Sequence, residues 1–358
     1  MAWASTRQAP STAVIKEGTM KKTKNVLSVA AVLLVFSLIF GLLNLLLAPK
    51  YMSEGYYGGS LLCQYYGESG CHDVILIGDS EIYANFSPLQ MWRSHGITAY
   101  NRSSSQQMPW QSYYVLKETL RYEIPKVVVF NVNAMRYSEP VSEAYHRLTI
   151  DQMRWSAEKV GIITASMTEE EDFLSYVFPI MRYHARFDEL TAEDLEYFFK
   201  TKKNTFNGYQ MNTSVVPLEH LPAKRPLPDY TFGDVCYEYL EKMAELCKAN
   251  GIELILIKAP SQFPHWYDEY DSQISEFARA NGLAYYNLKE HTEAIGLDFS
   301  TDTYDAGLHL NLSGATKLSD YFADILADAH GCADHRDDPE IAAQYGELLE
   351  RYEEASQK

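Results

Sequence analysis

The run Val74-Ile75-Leu76-Ile77 is β-branched or leucine throughout, and it stops abruptly at Gly78-Asp79-Ser80-Glu81. An unbroken apolar run of this length, closed by turn residues, reads as a strand buried on both faces, the habit of parallel sheets. Such a strand needs helices over both faces. The chain supplies them by alternation. Further strands are expected at Ile97 to Asn101, Lys126 to Val132, Ile252 to Ile257 and Leu283 to Asn287. Between them, helical spacing runs from Asn85-Phe86-Ser87-Pro88 through Trp92, over Tyr113 to Leu120, over Phe232 to Asn250 and over Ser275 to Asn281. A last amphipathic run carries Leu318, Tyr321, Phe322, Ile325 and Leu326 on one face. The expected fold class is therefore α/β: a three-layer α/β/α domain over residues 73–330 with a parallel five-stranded sheet and right-handed crossovers.

A second feature sets where that domain works. Val26 to Ala48 has only Ser28, Ser37 and Asn44 as polar interruptions, and at helical rise it reaches about 34 Å, enough to cross a bilayer. It reads as an uncleaved anchor rather than a signal peptide, because the run is long and Pro49 follows where cleavage would fall. Arg7, Lys16, Lys21, Lys22 and Lys24 precede it against Glu17 alone. By the positive-inside rule residues 1–25, expected to be disordered, are cytoplasmic and the domain is extracytoplasmic. Met20-Lys21-Lys22 also has the form of a start. Residues 49–72, rich in Gly and Tyr, read as a spacer between anchor and domain.

The formal net charge of −17 excludes a phosphate-tracking nucleic-acid binder, which needs clustered Lys and Arg. Five cysteines are an odd number and read as small buried hydrophobes, with a Cys63–Cys71 pair left open. The sequence holds neither a metal-ligand cluster nor a Gly-rich phosphate loop, so no cofactor is implied. Between residues 134 and 229 the strand–helix alternation breaks down. This segment is expected to be an inserted, mainly helical region over the site. Thr168-Glu169-Glu170-Glu171 and Thr191-Ala192-Glu193-Asp194 read as its helix starts, and Pro217, Pro222, Pro226 and Pro228 mark an extended return. Arg182, His184 and Arg186 are candidates for contact with an acidic or glycan substrate, set against a solvated edge. Residues 331–358 read as an acidic tail with a surface helix from Asp338-Pro339-Glu340.

Ser80, just past the first strand, stands where open α/β sheets place their ligands. A serine hydroxyl attacks a carbonyl only when a neighbouring base takes its proton, and a histidine base needs a carboxylate to fix its tautomer. His309, just before the last amphipathic helix, and Asp305 supply those groups, with Asp302 as the alternative acid. His265 is a second candidate base, read more readily as shaping the substrate face.

Gly78-Asp79-Ser80 together with Asp305 through His309 resembles the first and last motif blocks of the SGNH, or GDSL, hydrolase superfamily. The usual Asp-x-x-His spacing is replaced here by Asp305 four residues before His309. The resemblance covers roughly Asp73 to Ala329. It implies a flavodoxin-like sheet and an oxyanion hole built by Ser103, near the family's second-block glycine, and by Asn133, or Asn131, at its third-block asparagine. It also implies a Ser-His-Asp acyl-enzyme mechanism. With the anchor, the chain is similar to membrane-anchored SGNH-like proteins of cell-surface O-acylation systems. The implied function is an extracytoplasmic esterase or O-acyltransferase on acyl, foremost acetyl, esters of cell-surface glycans, with a membrane-bound O-acyltransferase as partner. The alternative is a non-catalytic SGNH-like binding or assembly subunit of such a system.

Overall fold

The computed structural model describes residues 12–49, 61–68, 70–140, 142–196, 199 and 205–357. The chain forms two compact units, Met1–Pro49 with Leu174–Phe199, and Lys50–Phe173 with Lys200–Lys358.

The larger unit is α/β. Its strands are β1 (Val74–Gly78), β2 (Ala99–Ser103), β3 (Val127–Asn131), β4 (Glu253–Lys258) and β5 (Ala284–Asn287). They form one sheet in the order β2-β1-β3-β4-β5, with every neighbouring pair parallel. This is a common doubly wound order, and its switch point lies between β1 and β3. Successive residues of a strand face opposite sides, and the core divides accordingly. Val74 and Leu76 join Val127, Val129, Ile255 and Ile257 in one apolar cluster, while Ile75 and Ile77 join Val128, Phe130, Leu254 and Leu256 in the other.

The helices used below are α1 (Thr12–Leu47), α2 (Ser80–Asn85), α3 (Pro88–His95), α4 (Pro109–Thr119), α5 (Asp234–Ala249), α6 (Asp268–Asn281), α7 (Leu312–Asp328) and α8 (Pro339–Ser356). The first cluster takes Leu89 and Trp92 of α3 and Leu318, Phe322 and Leu326 of α7. The second takes Leu116 of α4, Leu240 and Met243 of α5, and Ile274 and Phe277 of α6.

Several regions differ from the sequence reading. The spacer ends earlier than residue 72: Leu61–Gln64 is helical, and Leu61, Leu62 and Tyr65 are fully buried. Glu123 holds this stretch by accepting from the Tyr65 hydroxyl at 2.6 Å and from the backbone N–H groups of Gly70 and His72 at 3.0 Å. The acidic tail is not a surface appendage. Tyr345, Leu348 and Tyr352 of α8 are buried, and the Tyr345 ring stacks on Trp92 at 4.3 Å. In the inserted region the helices Glu143–Ile150 and Ala157–Ser166 are present, but from Thr205 to Asp229 the described chain contains no helix. Of the two expected helix starts, Thr168–Glu171 closes only a turn, whereas Thr191 and Asp194 do open the helix Ala192–Glu196. No disulfide joins Cys63 to Cys71, and Cys236, Cys247 and Cys332 are buried.

In the smaller unit, α1 begins at Thr12, so residues 12–25 are helical rather than disordered, and residues 1–11 lie outside the described ones. Thr23–Leu47 is long and apolar enough to cross a membrane. Large side chains along it, such as Val26, Phe36 and Leu42, are exposed, which distinguishes it from the core helix of a soluble domain.

Candidate active site

Gly78 lets β1 turn sharply into α2. A Cβ there would meet Asn131 Cβ at 2.9 Å and Ile82 Cγ1 at 3.0 Å, so a side chain is excluded where the chain presses against the end of β3. Asp79 caps α2, its Oδ1 accepting from Glu81 N at 3.1 Å. Capping residues of this type favour the turn over continued strand. Ser80, partly exposed, is thereby held as the first residue of α2 at the carboxyl edge of the sheet.

The His309 loop is built on Thr303 and Asn311. Thr303 Oγ1 donates to His309 O at 2.7 Å and accepts from Gly307 N at 2.8 Å. Asn311 caps α7 and ties back to the carbonyls of Thr301 and Ser214. Between Asp305 and His309 the chain reverses through Ala306 and Gly307, both left-handed, at φ 58° and 90°. That reversal makes a four-residue spacing work. Asp305 Oδ1 accepts from His309 N, and Oδ2 meets His309 Nδ1, each at 2.6 Å. His309 Nε2 lies 2.8 Å from Ser80 Oγ. Leu310 N donates to Asn85 Oδ1 at 2.8 Å, so α2 carries both the serine and an anchor for the histidine loop. The Tyr304 ring stacks on the His309 ring at 5.6 Å.

Ser80, His309 and Asp305 are therefore brought together as a hydrogen-bonded chain, the arrangement in which a base can activate a hydroxyl. Asp302 is turned away. It is fully buried, its Oδ2 accepts from Lys317 Nζ at 2.7 Å and from Asp298 N at 2.8 Å, and it makes the loop rather than the triad. His265 also stands apart, its Nε2 2.7 Å from the carbonyl of Pro222.

The two oxyanion candidates lie at the same edge with different contacts. Ser103 pairs with Gly78 in the β1–β2 ladder, and its buried hydroxyl has no hydrogen-bond partner. Asn133 donates from Nδ2 to Asp79 Oδ2 at 2.6 Å, while its buried Oδ1 is unpartnered. Asn131 Nδ2 bridges Asp79 Oδ1 at 3.0 Å and Glu81 Oε2 at 2.8 Å, and its Oδ1 accepts from Ala259 N.

Beneath the serine lies a polar cluster that the sequence reading missed. Lys258, at the end of β4, is fully buried and donates to both oxygens of Glu81 at 3.0 Å and to Ala259 O at 2.7 Å. Burial pulls the Lys258 ammonium down from its ordinary pKa, against the opposing pull of Glu81. Burial and the neighbouring Glu81 push Asp79 up from its own. The available signal was a lysine closing the apolar strand Leu254-Ile255-Leu256-Ile257, because a buried charge demands a partner.

The extended return of the inserted region reaches this corner. Gln210 N donates to Tyr83 O, Leu312 N to Asn212 O, Val216 N to Thr303 O and Ala306 N to Val216 O. This part of the insertion meets the site as a strap of backbone along the histidine loop, while its helix Glu143–Ile150 reaches the end of β2, where the Thr149 hydroxyl bonds the Ser104 hydroxyl. Among the described residues, no group of histidine, cysteine and carboxylate side chains is arranged to hold a metal ion. Compared with known proteins, the chain matches no protein-family model and no curated protein.

Proposed function

We propose that the chain is a membrane-anchored serine esterase or O-acyltransferase of the SGNH type. The observation that carries this reading is the Ser80–His309–Asp305 chain, with Nε2 2.8 Å from the hydroxyl and Nδ1 2.6 Å from the carboxylate. In the proposed reaction Ser80 Oγ attacks an ester carbonyl while His309 Nε2 takes its proton. The tetrahedral oxyanion collapses, the C–O bond to the alcohol breaks, and His309 returns the proton to the leaving oxygen. Water or a sugar hydroxyl, deprotonated by His309, then attacks the acyl-serine and releases Ser80. Asp305 keeps the imidazole proton on Nδ1 throughout and stabilises the imidazolium. Asn133 Nδ2 and the backbone of Ser103 are the proposed oxyanion donors; one preorganised donor is worth about 3 kcal/mol of barrier.

The substrate class is an acyl ester, foremost acetyl, on a cell-surface glycan, and the proposed partner is a membrane-bound O-acyltransferase. The support is the helix able to cross a membrane, the lysines before it, and the resemblance of the two motif blocks. Two features favour the second reading, a non-catalytic binding subunit. Asn133 commits one of its two Nδ2 hydrogens to Asp79, and position 103 is serine where the family has glycine.

The separating experiment is turnover of a small acetyl ester by the full chain in detergent, with and without an oligosaccharide acceptor. Hydrolysis or transfer that disappears in Ser80→Ala supports the catalytic reading. No turnover of any ester, alongside retained binding of the glycan, supports the binding subunit.

A further inference from the structure

Asn44 is an anomaly in α1, because an amide inside an apolar span costs free energy unless its hydrogen bonds are met. In the structure its Nδ2 donates to Phe40 O at 2.8 Å, one turn back, and its Oδ1 accepts from Ile180 N at 2.9 Å. Ile180 belongs to the segment Leu174–Phe199, which forms one compact unit with α1. Two more contacts fix that segment against the helix. The Phe178 ring meets the Phe40 ring edge-on at 5.4 Å, and Arg186 Nη1 donates to Leu47 O at 2.7 Å. A cation at this end also suits the partial negative charge of a helix C-terminus.

These contacts set a depth. At 1.5 Å per residue, Asn44 lies about 4.5 Å and Phe40 about 10 Å inward of Leu47, the last residue of the apolar helix. Wherever Phe40 sits in the bilayer, Phe178 sits with it. Large apolar side chains are among those the segment leaves uncovered: Leu174 is 50 % exposed, Met181 46 % and Phe187 67 %, with the exposed charges of Arg182, Asp188 and Glu189 beside them. The backbone is equally suited to such a place. Phe178 N, Met181 N, Arg182 N and Tyr183 N all donate to carbonyls of the same segment. Arg186, on the Leu47 carbonyl and on Asp194 at 3.1 Å, marks the headgroup side.

We propose that Leu174–Phe199 is an interfacial membrane segment, lying beside the outer end of α1 with Leu174, Phe178, Met181 and Phe187 among lipid acyl chains. The chain then enters the bilayer at two places far apart in sequence. Arg182, His184 and Arg186 belong to this segment and act at the membrane surface instead of contacting a substrate. The proposal rests on the reading of α1 as a membrane span and is independent of the chemistry at Ser80.

The test is photocrosslinking of the full chain in nanodiscs of phosphatidylcholine and phosphatidylglycerol, with p-benzoylphenylalanine installed singly at Leu38, Met181, Phe187 or Ile124. Leu38 reports the span, and Ile124, 63 % exposed in the α/β unit, is the aqueous control. Intact mass is expected to show a lipid adduct at Leu38, Met181 and Phe187 and none at Ile124. Labelling at Leu38 without labelling at Met181 and Phe187 overturns the proposal and leaves the span standing. Failure at Leu38 as well overturns both. In native membranes, crosslinks from Met181 and Phe187 to a protein in place of lipid would make the segment a protein-docking surface and also overturn it.

Discussion

Asp305 gives both carboxylate oxygens to His309, one to the ring and one to the backbone N–H, so it sets the loop and the tautomer at once. Asp305→Asn is expected to lower kcat on the order of 10⁴-fold through the wrong tautomer, with the fold retained. Asp302→Asn is expected to leave kcat unchanged and cost about 1–2 kcal/mol of stability, since it removes the Lys317 partner and the Asp298 contact. Equal losses of kcat in the two variants would refute this division of roles. The buried Lys258–Glu81 pair behaves differently. Lys258→Met strands a buried carboxylate and should cost about 3–5 kcal/mol in chemical denaturation, whereas Glu81→Gln with Lys258→Met should recover part of that loss. A double variant as unstable as the single one would contradict the pairing. Ser80 and His309 were legible in the sequence because each adjoins a strong local signal, a strand end or a packed helix. The choice between Asp305 and Asp302 was not, because it depends on two left-handed residues, Ala306 and Gly307. Glu81 and Lys258 escaped notice because their partnership spans 177 positions.

Among the elements, β1, β3 and β4 were legible because each carries an unbroken run of four apolar residues buried on both faces. The β2 strand runs Ala99-Tyr100-Asn101-Arg102-Ser103 and is fully buried despite three polar side chains, so the reading stopped it short at Asn101. Arg102 pairs there with Glu118 at 2.7 Å and lies 3.9 Å from the centre of the Tyr65 ring. The α8 helix reads as surface because five glutamates are spread along it, although Tyr345, Leu348 and Tyr352 keep helical spacing toward the core. Tyr345→Ala should cost about 3–5 kcal/mol, a loss that a helix merely lying on the surface would not produce in a thermal melt. Glu123 supplies a pH test at the same scale. Burial raises its pKa, but the hydrogen bonds and charge of the His72 ring, with the Tyr65 hydroxyl, overcome this and bring it down to about 2. A lowered carboxylate adds stability above its unfolded value, and that stability is lost as pH falls toward the folded one. The wild type should therefore lose up to about 3 kcal/mol between roughly pH 5 and pH 2, and Glu123→Gln should flatten that part of the profile. An unchanged profile in the variant would contradict the assignment.

At the scale of the whole molecule, the sheet order brings the ends of β1, β2 and β3 to one edge, where residues 80, 103 and 133 lie within three adjacent strand-to-loop turns. The histidine arrives from residue 309, and the strap from Gln210 to Leu218 closes against its loop through backbone hydrogen bonds. This convergence follows from a parallel sheet, in which every strand ends on the same side. The sequence pattern was enough to foresee the sheet, whereas the strap makes its contacts through backbone groups that carry no side-chain pattern. Nor could residue pattern alone assign Leu174–Phe199 to the unit of α1, since that pairing joins positions more than a hundred residues apart. The central claim is that Ser80 is an activated nucleophile, and the most direct measurement is the intact mass of the full chain in detergent after exposure to a serine-directed phosphonate. One adduct on Ser80 is expected in the wild type, absent in Ser80→Ala and strongly slowed in His309→Ala. A folded wild-type protein that takes up no phosphonate, or takes it up equally in Ser80→Ala, would contradict the account.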